Sequence, residues 1–358
     1  MPEVPYAASR LCKCLILAVF AAAVAAGCAT SPGGGAAEPL ALWRVDAPAR
    51  TALVAYVEAA LKEGSPDYIP PADRIAVFDF DGTLFCETDP TYIDWMIFDH
   101  RVLDDPGYSA SPEETALALA ARETGRWPGL SLERERAMAN AWKGMTPEEL
   151  AGYVRRFAAS PQPGFDGMKR AEAFYRPMVE VVRYLQSAGF VVYVCSGTDR
   201  ALLRPIVEDG LSLPPRRIIG SDSDLVARGQ NGRDGLEYVY GRDDELVLGG
   251  KLLVKNLQMN KVSAIEREIG ARPVLAFGNS SSDASMLNYV LRNKRYRSLG
   301  FMLLCDDTVR EYGDSAKAEK LRKASLENGW IPVSMRDDWK TIYGPGVVRR
   351  NGIAGQSR

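Results

Sequence analysis

The chain has a single histidine in 358 residues, His100, and it lies far from every polar cluster described below. Mechanisms built on histidine bases or histidine-ligated metals are thereby set aside, and a hard, oxygen-ligated ion is favoured instead. Basic blocks are lacking as well. The net charge is −2, which disfavours nucleic acid as a partner. Cysteine is sparse: of the six residues, Cys12 and Cys14 lie in the N-terminal stretch before residue 28 and would leave with an export signal, and none shows metal-type spacing. Internal repeats are absent.

The apolar run Leu15–Ala26 follows the basic residues Arg10 and Lys13. It is too short to span a bilayer comfortably and suits the core of an export signal. The run ends at Val24-Ala25-Ala26-Gly27-Cys28, which resembles a bacterial lipobox with Ala25 where Leu is usual. Residues 1–27 are therefore expected to be a signal peptide, with Cys28 acylated and residues 28–45 forming a flexible tether. The protein would then be exported and held on a membrane facing the periplasm or cell surface. Cys86, Cys195 and Cys305 would remain, an odd number that gives no disulfide framework, and buried free thiols are expected at Cys195 and Cys305.

Ile75-Ala76-Val77-Phe78 is a short continuous apolar run that leads into Asp79-Phe80-Asp81-Gly82-Thr83-Leu84. Such a run bounded by a turn reads as a buried parallel strand. In open parallel sheets, ligands bind in the crevice at the carboxyl ends of the strands, where this turn would sit. Carboxylates at i and i+2 repel, so placing them together serves to hold a cation or to divide chemical labour. Phe190–Cys195 is a second apolar strand ending in Ser196-Gly197-Thr198-Asp199. Lys261 opens an amphipathic helix closed by Gly270, and Pro273–Phe277 is a strand ending in Gly278-Asn279-Ser280-Ser281-Ser282-Asp283.

These elements, in this order, resemble the four motifs of the haloacid dehalogenase (HAD) superfamily of phosphohydrolases, over roughly residues 74 to 305. The resemblance implies an α/β fold, a Rossmann-like core with a parallel sheet, and an inserted helical cap of the C1 type, as in the phosphoserine-phosphatase-like branch. It implies Asp79 as the nucleophile that forms an aspartyl-phosphate, and Asp81 as the acid that protonates the leaving alkoxide and later activates water. Thr83, Ser196, Gly197 and Lys261 would bind the phosphoryl group, and Asp79, Asp81, Asn279 and Asp283 would hold Mg²⁺. The family commonly has Asp where Asn279 stands. An amide oxygen ligates without adding charge, so weaker metal affinity is expected, and Asn279→Asp should raise it. Lipin-type phosphatidate phosphatases are similar in their G-N-x-x-x-D element.

The expected division is core over residues 46–86 and 181–345, a helical cap over 87–180, and a disordered tail over 346–358. Helix starts at Ser111-Pro112-Glu113-Glu114 and Thr146-Pro147-Glu148-Glu149 mark the cap. Tyr92, Trp95, Trp142 and Phe165 read as cap core more than as substrate contacts. Leu236–Tyr240 and Glu245–Leu248 predict a hairpin about Gly241–Asp244. The function expected is a Mg²⁺-dependent phosphomonoesterase acting on a small phosphorylated metabolite. The alternatives are a lipid-phosphate phosphatase, or a surface lipoprotein that uses the fold as a binding module with weak or lost catalysis.

Overall fold

A computed structural model describes residues 39–88, 91–124 and 131–350. Cys28, the export segment and the tether up to residue 38 lie outside the described residues. The strands are β1 (Ile75–Phe78), β2 (Phe165–Asp166), β3 (Val191–Asp199), β4 (Ile218–Ala227), β5 (Leu246–Val254), β6 (Leu275–Gly278), β7 (Leu299–Leu304), β8 (Ile331–Ser334) and β9 (Val348–Arg349). The helices are α1 (Pro48–Leu61), α2 (Ile93–Leu103), α3 (Pro112–Thr124), α4 (Leu132–Asn140), α5 (Pro147–Ala158), α6 (Arg176–Ser187), α7 (Arg200–Leu211), α8 (Met259–Glu268), α9 (Ala284–Leu291) and α10 (Ser315–Asn328).

Seven strands form one sheet in the order β5-β4-β3-β1-β6-β7-β8. All neighbours are parallel except β4 and β5. β1 sits between β3 and β6, and all four of its residues are buried, as a strand covered on both faces requires. Its side chains alternate between two apolar layers. Ala76 and Phe78 face one layer, and Val77 joins Cys195, Ala276 and Met302 in the other. Phe78, Phe277 and Phe301 stack across β1, β6 and β7 with ring centroids 4.2 and 4.8 Å apart. This aromatic ladder fixes the ends of β1 and β6 side by side, and the Asp79 amide extends it by donating to the Phe277 carbonyl at 2.8 Å.

Helices α2–α5 all lie between β1 and β3 in the chain. Both expected helix starts form reciprocal caps. Thr146 and Glu149 satisfy each other's backbone amides at the start of α5, and Ser111 and Glu114 do so at α3. The chain leaves β1 along Leu84–Cys86 and returns along Ala173–Tyr175, the two segments bonded by Cys86 N to Ala173 O and Tyr175 N to Leu84 O. The crossing thus lies at 173–175, and the expected division at 180 falls inside α6, a helix that packs against β3.

Two expectations differ from the structure. The hairpin is not 236–248: β5 pairs antiparallel with β4, and residues 228–245 connect them. Leu236 and Val239 are 98% and 91% exposed, so the apolar letters of that stretch bury nothing, while Tyr238 and Tyr240 bond to Asp244 and close the loop on itself. The tail is ordered through Arg350: β9 pairs antiparallel with β2, Arg350 bonds to Gly164 and Asp166, and Phe165 packs edge-on against Tyr312 and Tyr343. Residues 351–358 of that tail lie outside the described residues. Cys86 and Cys195 are buried free thiols and Cys305 is half-buried. Among the described residues, no helix is long and apolar enough to cross a membrane.

Candidate active site

The carboxyl ends of β1, β3 and β6 and the start of α8 bring the polar clusters together. Lys261 is fully buried, and its Nζ donates to Asp79 Oδ1 at 2.5 Å and to Asp283 Oδ1 at 2.6 Å. Helix α8 buries Lys261 with Val262, Ala264 and Ile265, so its first turn points into the sheet edge. Asp283 Oδ2 accepts from the amides of Asn279 and Ser280, both at 3.1 Å, and from the Ser280 hydroxyl. Asp283 therefore clamps the loop after β6 and neutralises half of the lysine's surroundings. Asp79 Oδ2 and Asn279 Oδ1 both face the Thr83 hydroxyl, at 3.5 and 3.4 Å. Two oxygens from separate motifs thus converge on one point.

Ser196 and Thr198 lie on an irregularity in β3. Cys195 is opposite Ile219 and Asp199 opposite Ser221, so three residues of β3 face Gly220 alone. Such bulges re-aim side chains. A side chain at Gly220 would meet the Thr198 carbonyl at 2.6 Å, so only glycine leaves room for this bend. The result turns Thr198 to Asp81, whose Oδ2 accepts its hydroxyl at 2.7 Å. Ser196 Oγ accepts from the Thr198 amide at 3.1 Å, and Asn256 Nδ2 holds the Ser196 carbonyl at 3.0 Å.

The two aspartates occupy different environments. Burial and the neighbouring Asp283 push the Asp79 carboxyl up, and Lys261 works against both. Burial, reinforced by Asp94, Asp79 and Glu87, holds Asp81 well above the usual carboxylate range against the Thr198 bond. Asp81 Oδ1 is buried and has no hydrogen-bond partner among the described residues. Burial alone would depress the lysine, but Asp283 and Asp79 outweigh it, so Lys261 stays charged.

Asp79, Asp81, Ser196, Thr198 and Asn279 open onto a cavity of about 800 Å³ that also takes in Glu87, Tyr92, Asp94, Trp95, Glu135, Lys255 and Lys317, with Lys261 and Asp283 buried behind it. Tyr92 and Trp95 line it, whereas Trp142 packs on Tyr153 and Phe165 on Tyr312. Glu87, Asp94, Thr198 and Asn256 were not assigned roles from sequence. Only Thr198 carried a signal, two residues after Ser196 on a strand end.

The chain matches the haloacid dehalogenase-like hydrolase family over residues 76–288. It belongs to that family. The match spans β1 to α9 and so contains all four motif positions of this haloacid dehalogenase-like hydrolase. Similar solved structures include a protein of unknown function from Bordetella pertussis Tohama I, with 17% identity, TM-score 0.48, and coverage of 73% of this chain and 97% of that one. Cytosolic 5'-nucleotidase IIIB bound to cytidine shows 13% identity, TM-score 0.47, and coverage of 82% and 88%. A phosphoserine phosphohydrolase-like protein from Francisella tularensis subsp. tularensis SCHU S4 shows 17% identity, TM-score 0.38, and coverage of 69% and 92%. No curated protein matches the chain.

Among the described residues, no three histidine, cysteine, aspartate or glutamate side chains are grouped to hold a metal by themselves. Mg²⁺, however, keeps several waters and is held by one or two carboxylates together with substrate phosphate. Asp79 Oδ2 and Asn279 Oδ1 are hard oxygen donors that converge, whereas the unpartnered Asp81 Oδ1 stands apart from them in the bonding. This donor set fits Mg²⁺. Asp283, with one oxygen on Lys261 and the other on the loop amides, has less to offer an ion than its place in the motif suggests.

Proposed function

We propose that the protein is a Mg²⁺-dependent phosphomonoesterase acting on a small phosphorylated metabolite. The observation that carries this reading is the division of labour between Asp79 and Asp81. Both open onto one cavity, yet Asp79 is anchored to a buried ammonium, whereas Asp81 leans on a hydroxyl and leaves one oxygen unpartnered. Two carboxylates held in unlike environments can serve as nucleophile and acid.

Asp79 attacks phosphorus and forms an aspartyl-phosphate as the ester oxygen departs. Asp81, fixed by Thr198, protonates that oxygen and then takes the proton from the water that hydrolyses the phosphoenzyme. Lys261 favours the ionised form of Asp79 and adds positive charge near the transferred group, while Ser196 and Gly197 donate to phosphoryl oxygens; Thr83, expected from sequence to bind phosphate, is buried and gives its hydroxyl to Asp79 and Asn279 instead. Mg²⁺ held by Asp79 and Asn279, with Asp283 supporting the loop, would cancel the repulsion between carboxylate and phosphate, which leaves the Asp81 carboxyl free to carry the acid's proton. Helices α2–α5 act as a cap that excludes water and selects the substrate, with Tyr92 and Trp95 facing the leaving group. A cavity of about 800 Å³ suits a metabolite-sized ligand.

The test compares esters that differ in leaving group. With wild-type protein and Mg²⁺, p-nitrophenyl phosphate should be hydrolysed. Asp81→Asn should cost about 10²–10⁴-fold on alkyl phosphates, the usual worth of a general acid. It should cost much less on the aryl ester, because nitrophenolate leaves without a proton. Equal loss on both, with no phosphoenzyme accumulating, would count against Asp81 as the acid.

We further propose that the protein is exported and tethered through acylated Cys28, which rests on the basic flank, apolar run and lipobox-like end of the N-terminus. Labelled palmitate should enter the wild-type protein and be absent from Cys28→Ser. Label persisting in that variant removes the lipoprotein reading.

A further inference from the structure

Glu87 lies against the position at which this chain leaves the usual family pattern. Its Oε1 accepts from Asn279 Nδ2 at 2.9 Å, and the Asn279 Oδ1 on the other side faces Thr83 at 3.4 Å. A carboxylate oxygen without a proton accepts, and here it takes the nitrogen end of the amide. The oxygen end is thereby left to Thr83 and to the point where Asp79 Oδ2 also converges. Gly82, at φ +75°, lies directly beneath this pair. A Cβ there would collide with the Asn279 side-chain nitrogen and with Glu87 Cδ, so the first motif is shaped to let Glu87 and Asn279 meet.

We propose that Glu87 is a positioning residue for Asn279, holding the amide nitrogen so that the amide oxygen turns toward the cation site. The proposal rests on reading the Gly278–Asp283 loop as part of the cation site. An aspartate at 279 has no N–H to give Glu87, so two acceptors would face each other at hydrogen-bond distance. Asn279→Asp is therefore expected not to tighten Mg²⁺ binding, contrary to the expectation drawn from sequence.

A double-mutant cycle tests this. The four proteins are wild type, Glu87→Gln, Asn279→Asp and the double variant, in which amide and carboxylate exchange places. Two readouts are taken: Mg²⁺ affinity by calorimetry, and the thermal midpoint of the metal-free protein. Glu87→Gln faces Asn279 with an amide that can accept or donate, so it no longer fixes which end of Asn279 turns inward, and should weaken Mg²⁺ binding about tenfold, as loss of an outer-shell partner does. Asn279→Asp should lower the metal-free midpoint without tightening Mg²⁺. The double variant should recover most of both losses. Unchanged Mg²⁺ affinity in Glu87→Gln, tighter binding in Asn279→Asp alone, or additive effects on the midpoint would overturn the proposal. Failure of wild type to bind Mg²⁺ at all would instead remove the cation reading of the loop, while the metal-free midpoints still decide whether Glu87 and Asn279 are coupled.

Discussion

Asp79→Asn is expected to lower phosphomonoester turnover by about 10⁴-fold or more, the scale of loss when the nucleophile of a catalytic unit is removed. The fold should survive the change. Asn has nearly the same volume, Thr83 keeps a partner, and Lys261 retains its 2.6 Å contact with Asp283, so its charge is not left unpaired. The loss should therefore fall on chemistry and leave the unfolding midpoint close to wild type. Acid quenching during turnover of a labelled phosphate ester checks the origin of the effect: wild type should carry label on protein, and the variant none. Turnover within tenfold of wild type would show that Asp79 is not the nucleophile.

Lys261→Ala should damage stability and activity together, for one electrostatic reason. The lysine is buried between two carboxylates, with Nζ at 2.5 and 2.6 Å from their oxygens. Removing one partner of a buried ion pair costs about 3–5 kcal/mol, because the remaining charges stay desolvated and unpaired. Here two aspartates would be left facing each other, so the variant should lose a corresponding part of its unfolding free energy in a urea titration. Activity should vanish with it, since Asp79 loses its counter-charge and Asp283 its tie to α8. A stable variant that has lost only activity would mean that Lys261 acts on the phosphate alone and does not hold the aspartates together.

Much of the centre was legible because each piece is local. A four-residue apolar strand ending in two aspartates, a serine at a strand end, and a lysine opening a helix each carry their signal within about ten residues, and parallel topology brings strand ends to one edge. What escaped reading depends on distance. Glu87 meets Asn279 across 192 residues, and nothing in Cys86-Glu87-Thr88 distinguishes it from loop polarity. The β4–β5 hairpin was misplaced because Leu236, Val239 and Tyr240 look like a strand, yet that stretch has no sheet neighbour, while the partner of β4 begins at Leu246. Thr198 was visible as a residue but not as a contact, because its direction comes from the bulge opposite Gly220. β9 is too short to show a period at all.

The β2–β9 pair bears on the order in which the molecule can be completed. Asp166 meets Arg350 across 184 residues, and a closure of that length carries an entropic cost that two ladder residues alone do not offset. Phe165, Tyr312 and Tyr343 supply the burial that makes the seam worthwhile. During synthesis the helices from α2 to α5 are finished long before the stretch that fastens their return path exists. A polypeptide stopping short of Val348 would carry every proposed catalytic side chain and still lack the stitch that holds that return path to its own end.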